Sequence, residues 1–373
     1  MTTQHHRPNF DNLRRTLLRQ GPPGPVPFIE LFADPGLIQA AVGQPVSWEM
    51  VAADWVSQET ASGARAGLDA ILRFCCELGY DYVWGFSGLH FPRANFQIAA
   101  DTAAAENWIS GVRFWQDETT GPIQSWADFD AYPWPQAEHI SYRAIEYLNS
   151  AVPEGMKISV NVSGIFENGS WLMGLQSFSY ALHDQPELVA AICQRVGDLT
   201  AAVLRHTKTI DNVGMFFLGD DLGYATGTMV SPRVLQQYIF PQYTRLLEIA
   251  HAADKPLLFH SCGNLEKIMD AIIDLGFDAK HSFEDKIMPV EEIFRRWGDR
   301  IAVLGGVDMD LLARGSEDDV RRRTRAILER CAVQGTGYCL GTGNSAANYL
   351  PLENFRAMLD EGRRWNHEHF SGG

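Results

Sequence analysis

Pro256-Leu257-Leu258-Phe259-His260-Ser261-Cys262-Gly263-Asn264 is an apolar run that ends abruptly in nitrogen and sulfur donors and a glycine. A short continuous apolar run reads as a strand buried on both faces, the kind that helices cover in a parallel sheet. Gly263 lets the chain turn, and His260 and Cys262, two residues apart, point to one side at the strand's C-terminal end. Working outward, seven further β-rich runs occur at residues 26–32, 80–86, 157–164, 213–218, 279–283, 301–307 and 337–341; the quoted one, 256–261, makes eight. Segments with helical spacing lie between them at 137–149, 186–207, 232–251, 265–275, 290–297, 317–331 and 352–365. Ser231-Pro232 and Leu350-Pro351, followed by Glu353, are helix starts. The alternation predicts an α/β fold, a single (β/α)8 TIM-type barrel in preference to an open doubly wound sheet.

Residues 1–25 read as an N-terminal arm, with Leu13, Leu17 and Leu18 at helical spacing before Gly21-Pro22-Pro23-Gly24-Pro25, and the barrel takes 26–373. Residues 89–135 break the alternation as a long insertion after the second strand, carrying Trp108, Phe114, Trp115, Trp126, Phe129, Tyr132 and Trp134. A barrel puts such an insertion over its C-terminal mouth, as a satellite aromatic core, a substrate lid, or both.

The net charge of −15 argues against a nucleic-acid partner, because phosphate binding needs a basic face. No apolar run reaches the length of a membrane span and residues 1–19 are too polar for a signal peptide, so no membrane partner and a cytoplasmic location are expected. The six cysteines lack framework spacing, which points to reduced thiols, some of them metal ligands.

His260 and Cys262 alone are weak evidence for a metal, since such a pair is more often a satisfied core histidine beside a buried thiol, and a third ligand is needed. Cys339, in Gly337-Tyr338-Cys339-Leu340-Gly341-Thr342-Gly343-Asn344, adds a third donor on the last strand, where all strands open toward the same mouth. Three ligands with an open fourth position is the pattern of catalytic zinc. The alternative for Cys339 is a small buried strand residue.

At these residues the chain resembles the uroporphyrinogen decarboxylase superfamily, and within it the zinc-dependent methylcobamide:thiol methyltransferases of the coenzyme M type. Gly24-Pro25-Val26-Pro27-Phe28, Gly219-Asp220-Asp221-Leu222-Gly223, Ser231-Pro232, His260-Ser261-Cys262-Gly263-Asn264 and Pro351-Leu352-Glu353-Asn354-Phe355 carry the likeness over nearly the whole chain. It implies that His260, Cys262 and Cys339 are zinc ligands, that methylcobamide is co-substrate on a separate corrinoid protein, and that a small thiol is the acceptor. Zinc deprotonates a bound thiol, and two thiolates already on the metal leave its Lewis acidity modest and the substrate sulfur nucleophilic.

Other residues take roles by position. Glu284, in His281-Ser282-Phe283-Glu284-Asp285, is the candidate to fill zinc's open position, with Asp285 its rival. Asp220 and Asp221 follow the fourth strand; adjacent residues of an extended chain face opposite sides, so one enters the pocket as a base or as an orienting partner of the histidine, and Asp220 is preferred. Asn344 and Ser345 are placed to position a polar substrate group, while His281 reads as a satisfied core histidine. Asp308 lines the site or caps a helix, and His367 and His369 lie in a polar tail. The competing functions are demethylation of a methoxy compound, decarboxylation of a tetrapyrrole, and a non-enzymatic role as a tetrapyrrole or corrinoid binder or as a subunit with structural zinc. The decarboxylases' arginine-rich N-terminal segment corresponds to Arg19-Gln20-Gly21-Pro22-Pro23-Gly24, which lacks the second arginine. The oligomeric state is not written in the sequence.

Overall fold

Apolar runs covered by helices become short, fully buried strands. The computed structural model describes residues 6–51, 58–93, 96–100, 112–333 and 336–370. Its strands are β1 (Tyr82–Phe86), β2 (Phe96–Ala100), β3 (Val112–Gln116), β4 (Lys157–Ser163), β5 (Val213–Gly219), β6 (Gly223–Tyr224), β7 (Gly227–Thr228), β8 (Leu257–His260), β9 (Ala279–His281), β10 (Ala302–Leu304) and β11 (Tyr338–Cys339). Seven of them form one parallel sheet in the order β1-β4-β5-β8-β9-β10-β11. The sheet curls into a TIM-barrel-like arrangement, with Phe216, Phe217, Leu258 and Phe259 fully buried. Each such side chain contributes about 1.5–3 kcal/mol by burial.

Residues 26–32 do not form a laddered strand as the sequence suggests. Pro25 and Pro27 have no N–H to give, and the segment joins the β11 edge through single parallel bridges, Phe28 to Leu340 and Ala33 to Ala346. Leu340 N–H donates to the Pro27 carbonyl and Ile29 N–H to the Leu340 carbonyl, each at 2.9 Å. Toward β1 the link runs through a side chain: the Tyr82 hydroxyl donates to the Glu30 carbonyl and accepts from Glu30 N–H at 2.7 Å.

Helices Pro186–Thr207, Val290–Trp297 and Glu317–Cys331 fall where their periodicity places them. The 232–251 stretch is interrupted by a π-helical turn, Leu235–Ile239, ahead of Pro241, whose missing N–H breaks the α ladder. The 137–149 stretch is a 3₁₀ turn, Ala137–His139, then a helix, Arg143–Ala151. Helices Gln58–Leu78, Ile165–Met173 and Leu175–Asp184 were not anticipated. The last helix, Leu352–Phe370, takes in His367 and His369, so the expected polar tail is helical; the His369 ring stacks on Trp365 at 3.8 Å.

Within 89–135, β2 and β3 make an antiparallel hairpin. Trp108 and the side chains of Phe114 and Trp115 lie outside the described residues. Phe91, Trp126, Phe129, Tyr132 and Trp134 form a small aromatic cluster, with Tyr132 and Trp134 at 4.7 Å and Phe129 and Trp134 at 5.2 Å. Among the described residues no helix is long and apolar enough to cross a membrane.

Candidate metal centre

β8 lies between β5 and β9, with His260 level with Gly219 on one side and His281 on the other. Beyond the strand ends the chains stay zipped. Asp220 N–H donates to the His260 carbonyl at 2.9 Å, Leu222 N–H to Ser261 Oγ at 2.9 Å, Cys262 N–H to Asp221 Oδ1 at 2.8 Å and Asn264 N–H to the Tyr224 carbonyl at 2.7 Å. Gly263 closes this turn at φ 82°, and a Cβ there would stand 2.2 Å from the Gly223 carbonyl oxygen, which excludes any other residue. The result faces Asp221 toward Cys262 and His260. His260 Nε2 lies 3.5 Å from Cys262 Sγ and 3.7 Å from Asp221 Oδ1. The three side chains each offer a ligand atom, all within 4.8 Å of one another.

The hydrogen bonds behind the site fix the histidine tautomers. His281 Nε2 is 3.0 Å from the Thr342 carbonyl, which can only accept, so Nε2 carries the proton. Neutral His281 therefore accepts at Nδ1, and His260 Nδ1, 2.8 Å away, donates to it. His260 Nε2 is left with its lone pair toward Asp221 and Cys262. A donated second ring proton is the usual support of a metal-bound histidine.

Burial, and then Lys280, push His260 down to about 3, and His281 also falls well below the ordinary histidine range through burial. Both rings are neutral. Burial and the neighbouring Asp221 carboxylate push the Cys262 thiol well up. Asn344 Nδ2 donates to Cys262 Sγ at 3.2 Å, which favours the thiolate. Lys280, fully buried, donates to the carbonyls of Ser261 at 3.1 Å and Ser282 at 2.5 Å; burial lowers it to about 8, while Cys262, Asp221 and Glu284 hold it up. Glu167 is raised well above the carboxylate range by burial and by Asp221 and Asp220. Arg93 lies 3.8 Å over the Trp171 ring, donates to Asn168 Oδ1 at 3.2 Å and is lowered to about 10 by burial. One thiolate, one carboxylate and one neutral imidazole balance a divalent cation and suit zinc in type and number, leaving a fourth position for substrate.

The residues singled out from sequence separate. Asp220 turns away from the pocket: its oxygens accept from the N–H groups of Ile165 at 2.7 Å, Phe166 at 2.9 Å and Glu167 at 2.8 Å and from the Tyr243 hydroxyl at 2.6 Å. It is the anion at the N-terminus of helix Ile165–Met173, and Gly164 makes room for it, since a Cβ there would stand 2.0 Å from its carboxyl carbon. Asp221, the less favoured of the pair, faces the donors instead. Cys339 does not join the group of three: it is fully buried in β11 level with Leu304, and its electrostatic neighbour is Asp81, just ahead of β1. Its strand position stops short of the loop that reaches Cys262, five residues on at Asn344. Glu284 borders a cavity with Gly263, Asn264 and Lys280 and stays outside the group. Asp285 is committed to Arg323 at 2.9 and 3.1 Å. Asn344 accepts at Oδ1 from Ser345 N–H at 2.7 Å, which aims its amide at Cys262 and leaves Ser345 supporting it through the backbone. His281 is the support of His260, and Asp308 caps helix Met309–Arg314.

Glu30, Lys280, Glu167 and Arg93 were missed. Glu30 and Lys280 had a signal, an acid and a base inside apolar runs (Ile29-Glu30-Leu31 and Ala279-Lys280-His281).

No curated protein matches the sequence. The fold is similar to a methyltransferase from Methanosarcina mazei, with 17% identity, 95% of this chain and 98% of that chain covered and a TM-score of 0.65. It is also similar to a B12-independent methionine synthase from Shewanella sp. W3-18-1 in complex with selenomethionine, with 12% identity, 94% and 97% covered and a TM-score of 0.51. The profile of the Uroporphyrinogen decarboxylase (URO-D) family matches residues 111–365, more than half of the chain, and the protein belongs to that family.

Proposed function

We propose that the protein is a methyltransferase in which Asp221, His260 and Cys262 hold zinc at the mouth of a (β/α)8 barrel whose eighth stave is the segment 26–32. The observation that carries this reading is the convergence of three unlike donors around a histidine already in the tautomer that presents Nε2. Zinc bound there would strip the proton from a thiol and keep its sulfur nucleophilic. The donor in this reading is methylcobamide carried by a partner corrinoid protein, and the acceptor is a small thiol. One protein of similar fold is named a methyltransferase, which supports the class of reaction. The protein's own residues prepare the site: His281 holds His260, and Asp221 anchors the Cys262 backbone while facing its sulfur. Tetrapyrrole decarboxylation fits less well, because Asp221 and Glu284 face the site as acids and its buried cation, Lys280, is bonded to carbonyls rather than free to meet substrate carboxylates.

A second reading, methyl transfer from a methoxy compound, is favoured by one feature. Asp221 stands where the sequence puts a second cysteine, and a carboxylate is a harder donor that leaves a metal more able to polarise oxygen. Glu167, kept protonated by burial beside Asp221, would supply the proton that a departing alkoxide needs.

The test is zinc content of the wild type, Asp221→Asn, His260→Ala and Cys262→Ala, followed by methylcobalamin demethylation with a panel of thiols. Near-stoichiometric zinc lost in the variants, with thiol-dependent consumption of methylcobalamin, supports the first reading. Folded wild type without zinc refutes it. Zinc-bound protein inert toward thiols that methylates cob(I)alamin from methoxy aromatics favours the second.

A further inference from the structure

Glu30 is an acid in the middle of an apolar segment and is fully buried. Its carboxyl group meets one residue from the far end of the chain. Thr342 N–H donates to Glu30 Oε1 at 2.9 Å, and Thr342 Oγ1 stands against Glu30 Oε2. The same hydroxyl stands against the Asn344 carbonyl oxygen. Counting protons decides the arrangement. A hydroxyl has one proton, and a carbonyl can only accept, so the Thr342 proton goes to Asn344. Glu30 Oε2 must then bring its own proton and donate it to Thr342 Oγ1. Burial acts in the same direction and outweighs the opposing pull of the Thr342 hydroxyl and N–H, pushing Glu30 up to about 8. The phenols of Tyr80 and Tyr82 beside it are also driven well up by burial and stay neutral.

From Thr342 two branches lead to the candidate metal centre. Its carbonyl accepts from His281 Nε2–H at 3.0 Å, and His281 Nδ1 accepts from His260 Nδ1–H at 2.8 Å, which leaves His260 Nε2 bare. Its hydroxyl holds the Asn344 backbone, and the Asn344 amide reaches Cys262 Sγ at 3.2 Å. One buried acid thus sets the orientation of groups at two of the three donors.

We propose that Glu30, as a neutral carboxylic acid, is a positioning residue of this site, fixing His260 and Asn344 through Thr342. The proposal rests on the reading of Asp221, His260 and Cys262 as metal ligands. Glu30→Gln preserves the pattern, since its amide nitrogen can donate to Thr342 Oγ1 while its oxygen accepts Thr342 N–H. Glu30→Ala abolishes it, and Thr342→Val removes the hydroxyl branch alone.

The experiment measures zinc affinity by chelator competition and the visible spectrum of the cobalt(II)-substituted protein for the wild type and the three variants. Circular dichroism checks the fold. Two readouts use metal-free protein: the infrared C=O band of a protonated Glu30, assigned by its loss in Glu30→Gln, and the ¹⁵N tautomers of His260 and His281. The expected result is roughly 10- to 100-fold weaker zinc binding and an altered cobalt spectrum in Glu30→Ala, with near wild-type behaviour in Glu30→Gln. If Glu30→Ala does not fold, Thr342→Val must show the weakening. Wild-type affinity and spectrum in Glu30→Ala, or in Thr342→Val, overturn the proposal, as does an ionised Glu30 at neutral pH. Wild type that takes up no metal defeats the proposed function instead, and the infrared and ¹⁵N readouts then still decide the proton state and the relay.

Discussion

Consider Glu30→Gln followed by denaturant unfolding from about pH 5 to about pH 9. In the folded protein Glu30 holds its proton up to about pH 8, whereas the unfolded chain gives it up near the ordinary value of 4.5. Between those limits unfolding releases a proton, so the wild type loses stability as pH rises and keeps this contribution only at the acid end. The slope is at most about 1.4 kcal/mol per pH unit, which over the gap amounts to about 4–5 kcal/mol. Full burial means that solvent screening removes little of it. Glutamine has no proton to release, so the stability difference between variant and wild type should widen through this window and level off above it. Every other titrating group is common to both proteins and drops out of the difference. Parallel stability curves for the two proteins would refute the argument, because Glu30 would then be ionised in the folded state or solvated.

Three further outcomes follow from the geometry. Cys339→Ala should leave zinc content unchanged while costing about 1 kcal/mol of stability for a lost buried sulfur, read by metal analysis and guanidinium unfolding; loss of zinc would return Cys339 to the ligand set. Asp220→Ala should cost about 2–4 kcal/mol, since it strips the cap from helix Ile165–Met173 and leaves the buried Tyr243 hydroxyl unpaired, and it should retain metal. Zinc binding must displace the proton that burial holds on Cys262, so apparent affinity should rise about tenfold per pH unit on the acid side of that thiol's raised range; a pH-independent affinity in chelator competition would exclude Cys262 as ligand.

What could be read from the sequence divides along local and non-local lines. Apolar runs bounded by glycine marked where strands end, and helices 186–207, 290–297 and 317–331 were visible in their periodicity. Helix Gln58–Leu78 has a local signal too, with Leu68, Ile71, Phe74, Cys75 and Leu78 at helical spacing. The pair His260 and Cys262 was found because both sit on one strand end. Their third neighbour depends on how separate loops approach, and strand membership alone could not tell Cys339 from Asp221. Alternation correctly required Asp220 and Asp221 to part, but their order was decided by a helix N-terminus that the sequence reading had not recognised. Residues 26–32 show a similar limit: the apolar pattern is that of a strand, yet Pro27 inside it and Pro25 just ahead of it withhold hydrogen bonds that would make it one.

The meeting of Glu30 with Thr342 also bears on how the protein comes into being on the ribosome. These partners are 312 residues apart, so Glu30 emerges from the exit tunnel long before its hydroxyl and amide partners exist. Asp221, His260 and Cys262 are all translated in the interval, and a growing chain presents them without the brace behind His260. Joining segments so distant in sequence is a slow kind of contact to form. Maturation of the site therefore waits until the loop at 342–344 has cleared the tunnel, and if the three donors hold zinc as proposed, a ribosome-bound chain stalled before that point should bind it more weakly than one stalled well after it.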